Sequence, residues 1–235
     1  MAATKPATGV GADASVRVRT DAADPEYVSR GGHKLSGALD AFPSISVVGK
    51  RCLDAGASTG GFTDVLLRAG AAHVVAVDVG YGQLAWRLQT DARVEIHDRT
   101  NVRALTPQDI GGPAELTVAD LSFISLPIVL PALSACTEPA GDLLPMVKPQ
   151  FEVGRERLGA GGVVRDRAHR ADAVVRVAGE AARLGWAPRG ATASRLPGPS
   201  GNVEFFLWLR RTGDPPVLTD DEIREIVMDS QGGTR

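Results

Sequence analysis

The strongest constraint on the fold is a regular alternation of short apolar runs with longer amphipathic stretches between residues 52 and 148. Runs such as Cys52–Ala55, Val74–Asp78 and Leu116–Asp120 have the length and the apolar content of buried strands. The stretches between them carry apolar residues at helical spacing. Such βαβ units pack into a mostly parallel sheet that is covered by helices on both faces.

Seven strands and six helices are predicted. The strands are expected at 52–55, 74–78, 94–96, 116–120, 143–148, 192–195 and 203–209. The last two are joined through the Pro197–Gly201 loop as an antiparallel hairpin. The first helix is capped by Ser29 and ended by Pro43, and the others are expected near 61–69, 82–89, 126–135, 168–184 and 218–228. We therefore expect an α/β fold with a seven-stranded, mostly parallel sheet and a C-terminal antiparallel hairpin.

Composition and charge exclude several classes of protein. The chain has 26 Lys and Arg against 28 Asp and Glu, so a globally basic nucleic-acid coat is excluded. No apolar stretch approaches the roughly 20 residues that cross a bilayer, and the N-terminus lacks the apolar core of a signal peptide. We expect a cytoplasmic protein with no membrane partner. The two cysteines, Cys52 and Cys136, lie in apolar stretches and are interpreted as buried packing residues, so no disulfide framework and no metal site are expected.

Three segments are predicted along the chain. Residues 1–26 are interpreted as a tail or a remnant of another domain, with one possible short strand at Val16–Arg19. Residues 27–212 form the folded domain, and 213–235 contribute a peripheral helix and a tail. The length is compatible with one domain that buries a full core.

A glycine-rich turn after the first strand indicates a nucleoside cofactor. The turn runs from Asp54 to Phe62 with glycines at 56, 60 and 61, and the second strand ends in Asp78, 22 positions after Gly56. Glycines let a backbone approach a ligand at a helix N-terminus, and an acid at that strand end accepts ribose hydroxyls.

The spacing and the acid at position 54 favour one cofactor over another. The turn reads G-x-x-x-G-G, whereas dinucleotide enzymes use G-x-G-x-x-G. Asp54 would repel a pyrophosphate and suits the positively charged amino acid part of S-adenosylmethionine. The alternative is a turn that merely connects a strand to a helix. The candidate cofactor-binding residues are Asp54, Gly56, Ser58, Gly60, Gly61, Phe62, Asp78, Asp98, proposed for the adenine amino group, and Asp120.

Two ionisable residues lie where a site in an open α/β sheet is expected. Asp120 ends the fourth strand and Lys148 ends the fifth, and ligands bind beyond the carboxyl ends of parallel strands. The alternative for Lys148 is a strand-end lysine whose ammonium reaches solvent. Lys34 and Glu204 are not selected by this topology.

Five sequence blocks together resemble one known family, the TlyA family of ribosomal RNA 2′-O-methyltransferases, whose members are often called haemolysins. The blocks are Ser29–Leu35 (SRGGHKL), Asp54–Phe62 (DAGASTGGF), Asp120–Ser125 (DLSFIS), Val147–Glu152 (VKPQFE) and Pro197–Glu204 (PGPSGNVE). The resemblance covers about residues 27–210. It departs from the family at the N-terminus, where members usually carry an S4-type RNA-binding domain and this chain has at most its last strand.

The resemblance implies a Rossmann-like class I methyltransferase fold of the FtsJ type, with S-adenosylmethionine as cofactor. The family's Lys-Asp-Lys-Glu tetrad falls here on Lys34, Asp120, Lys148 and Glu204. The implied reaction is 2′-O-methylation of cytidine in 16S and 23S ribosomal RNA. Lys148 is then either the base that accepts the hydroxyl proton or the cation that stabilises the developing alkoxide.

An arginine cluster after the Lys148 block is a candidate RNA contact. Its members are Arg155, Arg157, Arg165, Arg167 and Arg170. They could bind phosphates around the target nucleotide, or they could belong to a solvated loop. Two other functions stay open from the sequence: an RNA-binding module with this fold but no activity, and a dinucleotide-dependent oxidoreductase.

Overall fold

The computed structural model describes residues 26–213 and 215–230. Its helices are α1 (Arg30–Ala41), α2 (Gly61–Arg68), α3 (Trp86–Gln89), α4 (Leu126–Ala135), α5 (Arg167–Arg183) and α6 (Asp220–Asp229). Its strands are β1 (Arg51–Ala55), β2 (His73–Val77), β3 (Val94–His97), β4 (Ala114–Ala119), β5 (Thr137–Val147), β6 (Ala187–Ala193) and β7 (Phe205–Arg210). The predicted strand at Val16–Arg19 lies outside the described residues.

All seven strands form one sheet in the order β3-β2-β1-β4-β5-β7-β6. Strands β1 to β5 run parallel, whereas β7 is antiparallel to both β5 and β6. The predicted α/β fold, with a mostly parallel sheet and a C-terminal antiparallel hairpin, is therefore confirmed.

Three element boundaries differ from the prediction by four residues or more. Strand β5 begins at Thr137 rather than 143, and β6 begins at Ala187 rather than 192. Helix α3 begins only at Trp86, because Gly82 has a φ of 63° and the chain before the helix follows a turn. None of these differences changes the order of elements.

The helices bury both faces of the sheet. Alternate strand residues point to opposite faces, so Cys52 packs in the layer with α1 and α2 while Leu53 packs in the layer with α4 and α5. Both cysteines are buried, as predicted from their apolar surroundings. Within the described residues, no helix combines the length and the apolar character that crossing a membrane requires.

The order in which successive strands are added to the sheet reverses between β1 and β4, although both strands run parallel. From β1 the chain proceeds outward to β2 and β3, then returns to β4 on the other side of β1 and continues to β5. This crossover leaves a crevice at the carboxyl ends of β1 and β4, where open α/β sheets bind ligands. The fold thus fixes the location of a site independently of its side chains.

Helix α1 is attached to this edge by a close backbone contact with α2. A Cβ on Gly61 would lie 2.8 Å from the amide nitrogen of Gly32 and 3.2 Å from the carbonyl carbon of Gly31. Only glycine allows the two helix backbones to approach so closely. The glycine that ends the turn after β1 is therefore also required for helix packing.

We predict that Gly61→Ala lowers the free energy of unfolding by about 1–3 kcal/mol, because backbone atoms of α1 must move to admit a methyl group. Gly179→Ala is the matched control, since a Cβ there meets nothing within 4 Å in the middle of α5. The control should gain roughly 0.5–1 kcal/mol from helix propensity. Urea denaturation of both variants measures the difference, and an unchanged Gly61→Ala protein would contradict the proposed contact.

Candidate active site

Four ionisable residues converge at the carboxyl edge of the sheet. Asp120 follows β4 directly, Lys148 follows β5, and Glu204 precedes β7. Because Val147 pairs with Phe205 in the antiparallel β5–β7 ladder, Lys148 and Glu204 occupy the next positions on neighbouring strands. Lys34 arrives from α1.

The four residues form two ion pairs. Lys34 Nζ lies 2.6 Å from Glu204 Oε2, and Lys148 Nζ lies 2.6 Å from Asp120 Oδ1. Both lysines are 8% exposed and Glu204 is 1% exposed, so neither ammonium is simply a solvated surface charge. Charged groups this far from water require partners, and each lysine has one. The alternative that Lys148 extends into solvent does not fit this burial.

Two neutral side chains complete these pairs. Lys148 Nζ donates a hydrogen bond of 2.8 Å to Ser122 Oγ, and Gln150 Nε2 donates one of 3.4 Å to Glu204 Oε1. The ammonium of Lys148 has three N–H donors, and its hydrogen bond to Ser122 uses one of them. Asp120 Oδ1 lies 2.6 Å from Nζ but has no hydrogen-bond partner among the described residues, so this contact is a charge pair, and N–H donors of Lys148 are left for a ligand.

Two adjoining cavities open onto this edge of the sheet. The first has a volume of about 380 Å³ and is lined by both Lys34 and Asp120. The second has a volume of about 540 Å³, and its wall includes Asp78, Asn101 and several apolar side chains. They share wall residues, namely Gly56, Ser58 and Asp120.

The glycine-rich turn lines both cavities and touches the loop after β4. A Cβ on Gly56 would lie 2.5 Å from the carbonyl oxygen of Asp120, so a larger residue would separate β1 from the loop after β4. Gly56 also has a φ of 87°, which glycine adopts readily.

Asp78 has the geometry of a sugar-binding carboxylate. Its Oδ2 accepts a hydrogen bond of 2.8 Å from the amide of Ser58, and its Oδ1 accepts one of 2.7 Å from the amide of Gly80. Each carboxylate oxygen keeps a further lone pair that can accept from a hydroxyl. The residue lines the larger cavity, where these acceptors are available to a ligand.

The other predicted cofactor residues fall into two groups. Gly61 and Phe62 line the smaller cavity, as Gly56 and Ser58 do. Gly60, Asp54 and Asp98 are not part of either cavity wall. Gly60 starts α2 with a φ of 94° and packs against Leu84 and Leu88, and Asp98 Oδ2 accepts a hydrogen bond of 2.8 Å from the amide of Gly82.

Asp54 lies inside the fold and is part of neither cavity wall. The residue is 0% exposed, and its Oδ2 accepts a hydrogen bond of 2.7 Å from Thr63 Oγ1. Burial raises the pKa of the Asp54 carboxyl to about 7, although the bond from Thr63 opposes the shift. Asp54 therefore fixes the turn from inside through Thr63, while its Oδ1 has no hydrogen-bond partner among the described residues.

Three members of the arginine cluster have partners within the protein. Arg157 Nη1 lies 3.6 Å from Asp172 Oδ2, Arg167 Nη1 donates to the carbonyl of Met228, and Arg170 Nε donates to the carbonyl of Val164. These three side chains already contact the protein. Arg155 and Arg165 are exposed, as Arg157 and Arg167 are, and Arg170 is half-buried.

Sequence reasoning missed three exposed residues on the cavity walls. Arg30 lines the smaller cavity, whereas Arg103 and Phe123 line the larger one. Phe123 is 91% exposed and has a φ of 62°, an uncommon conformation for a bulky residue. Arg30 and Phe123 lie inside blocks that carry the family resemblance, which was the available signal for them.

A model of the FtsJ-like methyltransferase family matches residues 27–211. The chain belongs to this family. It is 60% identical over 214 residues to the 16S/23S rRNA (cytidine-2′-O)-methyltransferase TlyA of Mycobacterium tuberculosis, covering 91% of this chain and 79% of that protein. It is 34% identical to the 23S rRNA (cytidine-2′-O)-methyltransferase TlyA of Campylobacter jejuni, covering 77% of this chain and 70% of that protein.

A solved structure from Streptococcus thermophilus that carries the name haemolysin shares the fold, with a TM-score of 0.83 and 41% identity. The match covers 88% of this chain and 75% of that chain. The family resemblance found in the sequence blocks is thereby confirmed. A dinucleotide-dependent oxidoreductase is not favoured, since the family is one of methyltransferases.

Burial of Asp54 predicts a specific pH dependence of stability. The folded-state pKa of about 7 lies above the ordinary aspartate pKa of 3.8, so between these two values the native state holds a proton that the unfolded state releases. Stability should therefore fall as pH rises through this interval, by roughly 1.4 kcal/mol for each pH unit.

Asp54→Asn is expected to remove this contribution, because the amide has no proton to release. Urea denaturation at about pH 5 and about pH 8 should show the variant gaining stability relative to the wild type at the higher pH. Equal pH dependence in the two proteins would contradict the assignment.

Proposed function

We propose that this protein transfers the methyl group of S-adenosylmethionine to the 2′-oxygen of cytidine in 16S and 23S ribosomal RNA. The observation that carries the proposal is the pairing of the buried Lys148 with Asp120 at 2.6 Å, beside a cavity large enough for a nucleoside. The names of the M. tuberculosis and C. jejuni relatives support the substrate. All wall residues of the two cavities fall within 27–212, which we take as the catalytic domain of a cytoplasmic enzyme.

The larger cavity fits the nucleoside part of the cofactor. Asp78 offers acceptors for two ribose hydroxyls, Asn101 offers an amide, and apolar side chains such as Val79 and Val102 offer surfaces for an adenine ring. Gly56 and Ser58 would line the path toward the smaller cavity. The cofactor supplies an electrophilic methyl group on a positively charged sulfur.

Lys148 and Asp120 bind the ribose 2′-hydroxyl and take up its proton. A remaining N–H of Lys148 can donate to the 2′-oxygen and stabilise negative charge as a bond to carbon forms. Within the Lys148–Asp120 pair, the carboxylate of Asp120 accepts the hydroxyl proton. The proton then passes to solvent beside Ser122, which is exposed. Lys34 and Glu204 extend this hydrogen-bonding edge and orient the ribose.

Positioning supplies most of the rate in this account. An oriented pair of reactants can gain about 7–11 kcal/mol over reactants that meet by diffusion. Because the two buried lysines are already paired with carboxylates before substrate binds, little reorganisation is needed at the moment of reaction. A binding module without activity would have no use for two desolvated ion pairs at a cavity wall.

The RNA contacts are proposed around the cavity mouths. Arg30 and Arg103 offer positive charge next to the cavities, and Arg155 and Arg165 offer it on the loop after β5. Phe123 presents an exposed ring on which an unpaired base can stack. These contacts favour a single-stranded target nucleotide that is turned out toward the protein.

We predict that Asp78→Asn weakens S-adenosylmethionine binding by about tenfold to a hundredfold, because charged hydrogen bonds to the ribose become neutral ones. Asp98→Asn is the matched control, since Asp98 also follows a strand and accepts a backbone N–H but does not line the cavity. Calorimetric titration measures both affinities. A larger loss of cofactor affinity in Asp98→Asn than in Asp78→Asn would contradict the assignment of Asp78 as the ribose-binding carboxylate.

Methyl transfer itself is tested with tritiated S-adenosylmethionine and ribosomal subunits from a strain that lacks this modification. The wild type should label RNA in both subunits. Lys148→Met should lose at least about a hundredfold in rate while keeping its cofactor affinity, because its ammonium no longer contacts the 2′-oxygen. Arg183→Met, which removes an exposed cation on α5, should behave like the wild type. A near-normal rate in Lys148→Met would refute the role of that residue.

A further inference from the structure

Two loops form the wall that carries the Lys148–Asp120 pair. We define the Asp120 loop as residues 120–125, between β4 and α4, and the Lys148 loop as residues 148–152, after β5. The two loops contact each other at three places, which follow one another along both loops and are called levels below. Lys148 contacts Asp120 and Ser122 at the first level, and the rings of Phe123 and Phe151 lie 5.3 Å apart at the second.

Glu152 forms the third level. Its Oε2 accepts a hydrogen bond of 2.6 Å from Ser125 Oγ, and its Oε1 accepts one of 2.7 Å from the amide of Leu126. Leu126 is the first residue of α4, where unpaired amides favour a carboxylate. The side chain of Glu152 is 1% exposed, so both bonds are shielded from water. The carboxylate therefore joins the end of one loop to the end of the other.

Arg176 of α5 touches both loops at once. Its Nη1 donates a hydrogen bond of 2.7 Å to the carbonyl oxygen of Glu152, and its Nη2 donates one of 3.3 Å to Ser125 Oγ. The same Nη2 lies 3.8 Å from Glu152 Oε2. A planar guanidinium with several donors is suited to such a double contact, and a lysine is not.

We infer that Glu152 and Arg176 are positioning residues for methyl transfer, which together lock the Asp120 loop to the Lys148 loop. The inference rests on the proposed function of this site. Locking the loops at their far ends fixes how far Asp120 and Ser122 lie from the Lys148 ammonium. It also fixes the exposed ring of Phe123, which the same loop carries at a φ of 62°.

The arrangement is costly if it serves packing alone. Burial raises the pKa of the Glu152 carboxyl, although its bonds to Ser125 and Leu126 oppose the shift. An apolar side chain of similar size would fill the space without that cost. A directional polar link is favoured where two loops must keep a fixed separation, and a displacement of about 1 Å at a catalytic group can cost about a hundredfold in rate.

Two variants and one control test the inference. Glu152→Gln keeps the size of the side chain but replaces one of the two accepting oxygens by an NH2 group, which cannot accept the hydrogen bond from Ser125 or Leu126. Arg176→Met keeps an aliphatic stem on a side chain that is half exposed, so its folding is not at risk. Arg183→Met is the control, since Arg183 lies on the same helix and pairs with Glu180 at the surface.

The readout besides activity is the ammonium signal of Lys148 in nitrogen-detected spectra of lysine-labelled protein. The chain has four lysines, Lys5, Lys34, Lys50 and Lys148, so each signal can be assigned by a single substitution. Ion-paired, buried ammonium groups exchange protons slowly and stay visible. The signal of Lys148 should broaden or vanish in Glu152→Gln and weaken in Arg176→Met, while that of Lys50, paired with Asp142, stays unchanged.

Rates of methyl transfer complete the test. Glu152→Gln should lower kcat by about tenfold to a hundredfold and Arg176→Met by a smaller factor, with Arg176→Lys restoring part of the loss. Arg183→Met should match the wild type. Folded Glu152→Gln and Arg176→Met proteins with the wild-type kcat and an unchanged Lys148 signal would overturn the inference, as would a wild type without that signal. A wild type that methylates no RNA would refute the proposed function instead, because the ammonium signals require neither RNA nor turnover.

Discussion

The site depends on the mutual neutralisation of two buried lysines by two carboxylates. An ammonium removed from water is strongly unfavourable unless a negative charge lies within hydrogen-bonding distance. Lys34 and Lys148 meet this condition through Glu204 and Asp120, each at 2.6 Å. These partners come from α1 and from the ends of β4, β5 and β7. Any shift of one of these elements would leave a charge both buried and unpaired.

The sheet register satisfies that requirement. Parallel pairing of β4 with β5 and antiparallel pairing of β5 with β7 bring three chain segments to one edge, and the α1–α2 contact brings the fourth. The two pairs themselves add no net charge to this edge of the sheet. Paired charges tolerate both a cationic methyl donor and an anionic RNA, and selectivity then comes from placed hydrogen bonds rather than from the charge of the two pairs.

The sequence predicted what depends on local pattern. The mostly parallel sheet, the antiparallel hairpin and the strand-end positions of Asp78, Asp120 and Lys148 all followed from periodicity and topology. Lys34 and Glu204, 170 positions apart, were reached only through the family resemblance, because their contact depends on how α1 docks. The burial of Asp54 and the protein partners of the arginine cluster were likewise invisible, since a polar residue after a strand gives no sign of which long-range neighbours it meets.

The most direct test of the account identifies the atom that receives the methyl group. Ribosomal subunits are treated with the wild-type protein and deuterated S-adenosylmethionine, and the RNA is digested to nucleosides for mass spectrometry. The account predicts that the label appears on the ribose of cytidine and is absent with Lys148→Met. Label on a base, or equal labelling by the variant, would contradict it.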